Sequence, residues 1–341
     1  MYRRRRKTKS AETYIEGILQ GDRVLLSQAI TLVESTRKED RTLAKTIINQ
    51  CMPYTGNSYR IGITGVPGVG KSTFIDQFGY MLVQEGKKVA VLAIDPSSQV
   101  SGGSILGDKT RMDLLSHHPQ AYVRPSPTSG SLGGVARKTR ETLLLCEAAG
   151  FDVVCIETVG VGQSEITVAG MVDFFLLLML PNAGDDLQGI KKGIMEMADG
   201  LVINKAEGEQ LPVARKAKTY YTSALRLFPP KYFGWRPSVH LCSALLGDGL
   251  DEVWEKLEEF RLKSKEHGYW TQHRQSQATN WMKETLEQQL LQLFYDDPQI
   301  QDRWEEVQSE VKAGTRSPIE AAESLLIDWQ VQQNDDTPNA E

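Results

Sequence analysis

Cysteine is scarce here and unpaired in pattern: Cys51, Cys146, Cys155 and Cys242 lie far apart in 341 residues, with no CxxC spacing. This excludes a disulfide framework and the usual thiolate zinc sites, and it fits buried thiols in a reducing compartment. Long apolar runs are also missing. The longest, FFLLLML at 174–180, falls well short of the about 20 residues that cross a bilayer, so it reads as a core strand and no membrane partner is expected. No secretory leader is evident, which makes the cytoplasm the expected address. Positive charge is in deficit as well, with a net charge of -5, and nothing in the overall balance calls for nucleic acid. One local exception is MYRRRRKTK, six basic side chains in nine residues. It reads as a solvated tail, with an anionic-surface contact or an organelle leader as alternatives; Glu12 and Glu16 weigh against the leader. Internal repeats and long low-complexity tracts are absent.

What the sequence has is alternation. Strand-like runs RIGIT (60–64), KVAVLAI (88–94), DVVCIE (152–157), DFFLLLML (173–180), GLVIN (200–204) and VHLCSA (239–244) are separated by helical patterns. Continuous apolar strands joined by helices predict an α/β fold: a mainly parallel central sheet covered by helices on both faces. Residues 1–55 read as a helical N-terminal extension, 56–265 as the α/β domain and 266–335 as a helical arm. The arm shows three apolar stripes: Met282, Leu286, Leu290 and Phe294; Ile300, Trp304, Val307 and Val311; and Ala322, Leu326 and Trp329. Pro298 and Pro318 separate them.

The stretch GVPGVGKST, Gly65, Val66, Pro67, Gly68, Val69, Gly70, Lys71, Ser72 and Thr73, leaves the first strand and enters a helix. GxxxxGKS in that context is a phosphate loop, which makes the domain a P-loop NTPase. Its backbone N–H groups cradle phosphates, Lys71 reaches the β and γ phosphates, and Ser72 offers a hydroxyl to Mg²⁺. Glu157 ends a core strand beside this loop, where it can hold Mg²⁺ directly or through water, and Gly160 lets the backbone approach the γ phosphate. Gln163 orients the attacking water or is an exposed loop amide; the residues alone leave both open. In NKAE, Asn204 and Lys205 follow a strand, and Glu207 stands where nucleotide switches usually carry an aspartate that pairs with guanine N1 and N2. The later SAL, Ser243, Ala244 and Leu245, would meet the guanine carbonyl. Two such motifs in order favour GTP and GDP over adenine nucleotides.

Four further strings, AIDPSSQVSGGSILGDKTRM (93–112), RPSPTSGSLGG (124–134), ETVGVGQSE (157–165) and GDDLQGIKKGIMEMAD (184–199), closely resemble the MeaB/ArgK/MMAA family of P-loop GTPases. The resemblance covers roughly residues 15–330. It implies a GTPase chaperone that gates cofactor loading of an adenosylcobalamin-dependent mutase, chiefly methylmalonyl-CoA mutase, and protects or reactivates it. It implies Asp95, Asp108 and Glu157 as acids that approach Mg²⁺ with Ser72; on the bare sequence a helix cap or turn residue before Pro96 is the lesser alternative for Asp95. It also implies a partner-sensing segment 182–193 with Asp185, Asp186, Gln188 and Lys191, and a homodimer built through the C-terminal arm. Here Pro181-Asn182 departs from the small residues that relatives carry.

Some relatives bear an older label as ATPases of lysine/arginine/ornithine transport, the alternative reading. The chain has no LSGGQ motif, which weighs against a transporter motor, and a nucleotide-dependent scaffold with negligible turnover is the third reading. His117-His118 has no neighbouring ligand at metal spacing, and Trp270, Trp281, Trp304 and Trp329 read as core or interface anchors.

Overall fold

The computed structural model describes residues 9–94, 112–125, 132–158, 163–182 and 192–335. Asp95, Asp108, Gly160, Asp185, Asp186, Gln188 and Lys191 lie outside the described residues, as does the side chain of Gln163. The chain forms two compact units, Met1–Arg274 and Gln275–Glu341.

Among the described residues the first unit has seven strands: β1 (Tyr59–Gly65), β2 (Val89–Ile94), β3 (Ala121–Arg124), β4 (Val153–Thr158), β5 (Phe174–Met179), β6 (Gly200–Ile203) and β7 (Val239–Leu241). They make one sheet in the order β3-β2-β4-β1-β5-β6-β7, and every pairing is parallel. Both faces are buried, as the unbroken apolar strands require. Alternate residues of β5 show this: Leu176 and Leu178 join a core with Phe74, Phe78, Trp254 and Phe260, whereas Leu177 and Met179 join one with Met195, Ala214, Tyr221 and Leu225. The six expected strands are all present, and β3 is an addition. Four residues at the sheet edge, between Pro119 and Pro125, carry too little hydrophobic pattern to stand out. The last strand is shorter than its sequence suggests. Ser243 turns out of it into an antiparallel bridge with Asp248.

Three helices, Ala11–Leu19, Arg23–Glu34 and Lys38–Cys51, precede the sheet. Asp22 caps the second by accepting from Val24 N and Leu25 N at 2.8 and 3.0 Å, satisfying donors that a helix start leaves free. They hold the β3 edge: Glu34 pairs with Arg124, and Ser27 bonds the Tyr122 hydroxyl at 3.1 Å. At the opposite end of the chain, Arg274 ties the start of the helix Tyr269–Tyr295 to the strand ends. Its guanidinium grips both oxygens of Asp173 at 2.7 Å, donates to Gly56 O and Ser58 O at 2.5 Å, and lies 4.5 Å over the Trp270 ring.

In the second unit, the helices Pro298–Ala313 and Pro318–Asp335 bury Ile300 and Val307 against Ala321 and Leu325, with Phe294, Val311 and Trp329 alongside. The buried face of the last helix is therefore one residue earlier than the expected Ala322 and Leu326, which are exposed. Ala321 and Leu325 have the same spacing of four and pack within the unit, which leaves the expected stripe of Ala322 and Leu326 on its outside.

Candidate functional site

At its carboxyl end, β1 turns into the helix Lys71–Gln84 through residues 66–70. Two glycines are required by geometry. Gly65, at φ +152, lies so close to β5 that a Cβ would meet Leu178 O at 2.5 Å. Gly70, at φ +92, begins the helix where a Cβ would meet Asn204 Nδ2 at 2.8 Å. The loop thus presents backbone N–H groups at a helix N-terminus, the arrangement that binds phosphate. Lys71 is the first helical residue and is buried; its ammonium donates to Gly65 O at 2.8 Å and to Val66 O at 3.4 Å. Burial holds its pKa below the usual lysine value, while Glu157 and Glu165 act in the opposite direction.

Glu157 is on β4, directly across from Ile63 of β1 and Ala93 of β2. Its Oε1 accepts from Ser72 Oγ at 3.0 Å. A hydroxyl and a carboxylate converging beside a phosphate loop are a hard-oxygen donor pair, the chemistry Mg²⁺ selects. Next to Glu157, Thr158 donates to Thr64 at 2.8 Å, and both are buried. This bond locks the ends of β4 and β1 together and so fixes Glu157 relative to the loop. Among the described residues, no group of three or more His, Cys, Asp or Glu side chains gathers for a metal. His117 and His118 instead make local bonds, to Asp113 O and from Gln120 N.

The base-reading motifs are braced against the phosphate loop. Asn204 is buried; its Nδ2 donates to Val69 O at 2.8 Å and its Oδ1 accepts from Ala244 N at 2.9 Å, so one side chain joins NKAE, SAL and the loop. Lys205, held at φ +60, donates to Gly68 O at 2.9 Å. Glu207 carries a carboxylate oxygen, Oε2, that is shut away from solvent with no hydrogen-bond partner. A buried acceptor without a donor costs free energy, and to meet guanine N1–H and N2–H the carboxylate has to turn outward from this position, where Oε2 is closed to ligand and water alike. Adenine has no N1 donor. Ser243 Oγ accepts from Leu246 N at 3.1 Å and shapes the SAL turn, leaving Leu245 exposed at its tip.

Lys71, Ser72, Glu157, Asn204, Lys205, Glu207 and the SAL turn thus converge on the carboxyl ends of the strands, where α/β sheets bind ligands. Two residues enter the picture only in three dimensions. Glu165, in the helix Gln163–Ala169, is buried and acts on Lys71 electrostatically. Asp76 is buried on the phosphate-loop helix and bonds a later segment. The string QSE contains the first, but nothing in it signals burial.

A phosphate loop after the central strand of a parallel sheet, with base-reading motifs at the same edge, defines a P-loop nucleotide-binding protein. Residues 26–299 match the family model described as Methylmalonyl Co-A mutase-associated GTPase MeaB, and the chain belongs to that family. A probable GTPase of Mycobacterium tuberculosis is 51% identical over 306 residues, which cover 90% of this chain and 91% of the relative. The mouse protein named methylmalonic aciduria type A homolog, mitochondrial, is 46% identical over 323 residues, covering 91% of this chain and 77% of its own. The crystal structure described as LAO/AO transport system kinase superposes with a TM-score of 0.75 at 39% identity, covering 94% of this chain and 97% of that one. The chain is a GTPase of this family.

Proposed function

We propose that this GTPase is the chaperone of an adenosylcobalamin-dependent mutase, in the first instance methylmalonyl-CoA mutase, and that GTP hydrolysis gates cofactor loading and protects or reactivates the mutase. The observation that carries the reading is the family match over residues 26–299, whose description names the mutase association. In this reading GTP binds with Mg²⁺, and Ser72, Asp95, Asp108 and Glu157 supply the metal's protein oxygens, some of them in only one nucleotide state. Held by these residues, the ion would supply positive charge to offset that of the phosphates. Lys71 adds positive charge where negative charge develops, Gln163 orients the attacking water, and Glu207 with the SAL turn selects guanine. The Ser72–Glu157 pair and the partnerless Glu207 oxygen support these assignments.

Asp185, Asp186, Gln188 and Lys191 form the partner-facing relay. They follow directly on β5, whose carboxyl end lies beside that of β1. By role the chain then divides into a helical extension (1–55), a GTPase domain (56–265) and a dimerisation arm (266–335). Met282, Leu286, Leu290, Leu293, Leu326 and Ile327 of the second unit are all exposed, Met282 by 67%. An apolar groove of about 480 Å³, lined by residues such as Phe294, Trp304 and Leu325, opens in the same unit. Surfaces of this kind are covered in stable proteins, and a second copy of the arm is the occupant proposed. Among the described residues no helix is long and apolar enough to cross a membrane; a cytoplasmic or, in a eukaryote, matrix location accompanies the mutase reading.

The test is hydrolysis with and without methylmalonyl-CoA mutase, for wild type, Gln188→Ala and Lys191→Ala. Acceleration of wild type with a weak response from both variants, at an unchanged basal rate, is the expected outcome. Full stimulation of both variants removes this segment from the relay. A role in basic amino-acid transport, the older label carried by the related crystal structure, would be favoured if hydrolysis responded to a transport component and to no mutase.

A further inference from the structure

At the amino ends of β5 and β6, the end of the sheet away from the phosphate loop, a cavity of about 360 Å³ opens within the first unit. Asp199, the residue before β6, lines it together with Glu196, Lys231 and the rings of Phe175, Phe228 and Tyr232. Asp199 is only 5% exposed. Its Oδ2 accepts from Phe175 N, its Oδ1 from Lys231 Nζ and its carbonyl from Trp235 Nε1, each at 2.9 Å. Lys231 Nζ also donates to Met197 O at 2.6 Å. These bonds draw the segment 228–237 into place as a wall of the cavity. The wall is held under backbone strain: Phe233 sits at φ +42, which a bulky residue rarely adopts, and stacks on His267 at 5.5 Å.

Empty protein cavities are apolar, and a buried acid in one points to a ligand. The charges here do not balance. Two carboxylates, Asp199 and Glu196, line the cavity against one ammonium, Lys231. His273 adds no free nitrogen, since its ring bonds with Tyr269 Oη at 3.1 Å and with Val172 O at 3.2 Å. Each oxygen of Asp199 accepts one N–H where it can accept two. Burial raises the Asp199 pKa, and Lys231, the Phe175 N–H and His273 only partly offset it. A second cation would complete the offset, and aromatic walls favour one through their ring faces. The space suits an organic body, because a cavity of about 150 Å³ already holds benzene.

We propose that this cavity is a second ligand site, which takes a small organic ammonium ion with its charged end toward Asp199 and Glu196 and its apolar body among Phe175, Met195 and Phe228. The site is separate from the nucleotide's. Asn204 stands beyond the other end of β6, five residues from Asp199 and about 16 Å away at about 3.3 Å per residue.

The experiment is a ligand-observed NMR titration of the full-length, GDP-loaded protein with three probes of one shape: benzylammonium, benzyl alcohol and benzoate. A probe of this size in a true site binds at about 1 mM or tighter. Benzylammonium should do so, and the other two should bind at least about tenfold more weakly, the worth of one charged hydrogen bond. Removing GDP should change its affinity by no more than about twofold. Asp199→Asn keeps the shape and should bring the ammonium and the alcohol to within about threefold of each other. Glu196→Gln, at an exposed position, should weaken benzylammonium about threefold and leave benzyl alcohol unchanged. Ala169→Leu, on the cavity wall, should abolish binding of the ammonium while GDP affinity holds. The last two variants decide the matter even if Asp199→Asn fails to fold. No binding of benzylammonium at about 10 mM overturns the proposal. So does equal affinity for benzyl alcohol, which would make the cavity an apolar void, and so does competition with GDP, which would put the probe in the nucleotide site. Wild-type selectivity in both carboxylate variants, or wild-type binding in Ala169→Leu, overturns it as well.

Discussion

Asn204→Ala should damage the fold before it damages the chemistry. The side chain is buried and satisfies Val69 O at 2.8 Å and Ala244 N at 2.9 Å, with the Cys242 thiol donating to the same Oδ1 at 3.4 Å. Alanine leaves a carbonyl and an N–H inside the protein without partners. Each orphaned group costs about 1–3 kcal/mol, so the loss should total about 2–6 kcal/mol. At a urea slope of about 2–3 kcal/mol/M, the unfolding midpoint falls by roughly 0.7–3 M. The assay is urea unfolding of nucleotide-free protein, followed by circular dichroism, with GDP affinity measured in parallel. Nucleotide affinity should also fall, because the phosphate loop and the SAL turn lose their common brace. An unchanged midpoint with reduced GDP affinity would refute the reasoning, since Asn204 would then act on the nucleotide rather than between the motifs.

Other residues give distinct readouts. Glu207→Ala should weaken GDP binding by at least about 2 kcal/mol, roughly 30-fold by calorimetry. Because its Oε2 has no partner in the fold, the same variant should keep its unfolding midpoint without nucleotide; equal affinity for ADP and GDP in wild type would sink the guanine assignment. Lys71→Ala should abolish hydrolysis, and wild-type-like turnover would take the phosphate loop out of the mechanism. His240 supplies a pH test: burial, followed by Lys218 and Lys256, holds its pKa below the usual histidine value. The unfolded chain therefore binds its proton more readily, and stability should fall as pH drops below the ordinary histidine range toward the lower native pKa. His240→Gln should flatten that part of the pH profile of the unfolding midpoint, and an identical profile in the variant would contradict the assignment.

The fold was legible wherever it depends on local pattern. Unbroken apolar strands announced a sheet buried on both faces, and GVPGVGKST announced a loop whose function lies in its backbone. The β3 strand escaped because four edge residues between prolines carry almost no periodic signal. In the last helix two faces share a period of four: Ala321 and Leu325 pack within the unit, while the expected Ala322 and Leu326 stay exposed, and periodicity alone does not rank them. Within the site, residues belonging to contiguous motifs could be named in advance. Those whose importance arises from a partner far along the chain could not. Asp76 reads as one more polar residue of an amphipathic helix until Leu114 and Leu115, nearly forty positions later, are seen to donate to it. Thr64 and Thr158, 94 residues apart, are a similar case.

The central claim is that nucleotide state is communicated to a cobalamin mutase, and this requires a partner that distinguishes the two states; equal affinity transmits nothing. Calorimetric titration of methylmalonyl-CoA mutase into the protein loaded with GDP, and separately with a non-hydrolysable GTP analogue, measures that difference directly. The account predicts dissociation constants that differ by at least about fivefold, the lower end of ordinary coupling energies. Equal constants, or no binding in either state to any adenosylcobalamin-dependent mutase of the same organism, would contradict it.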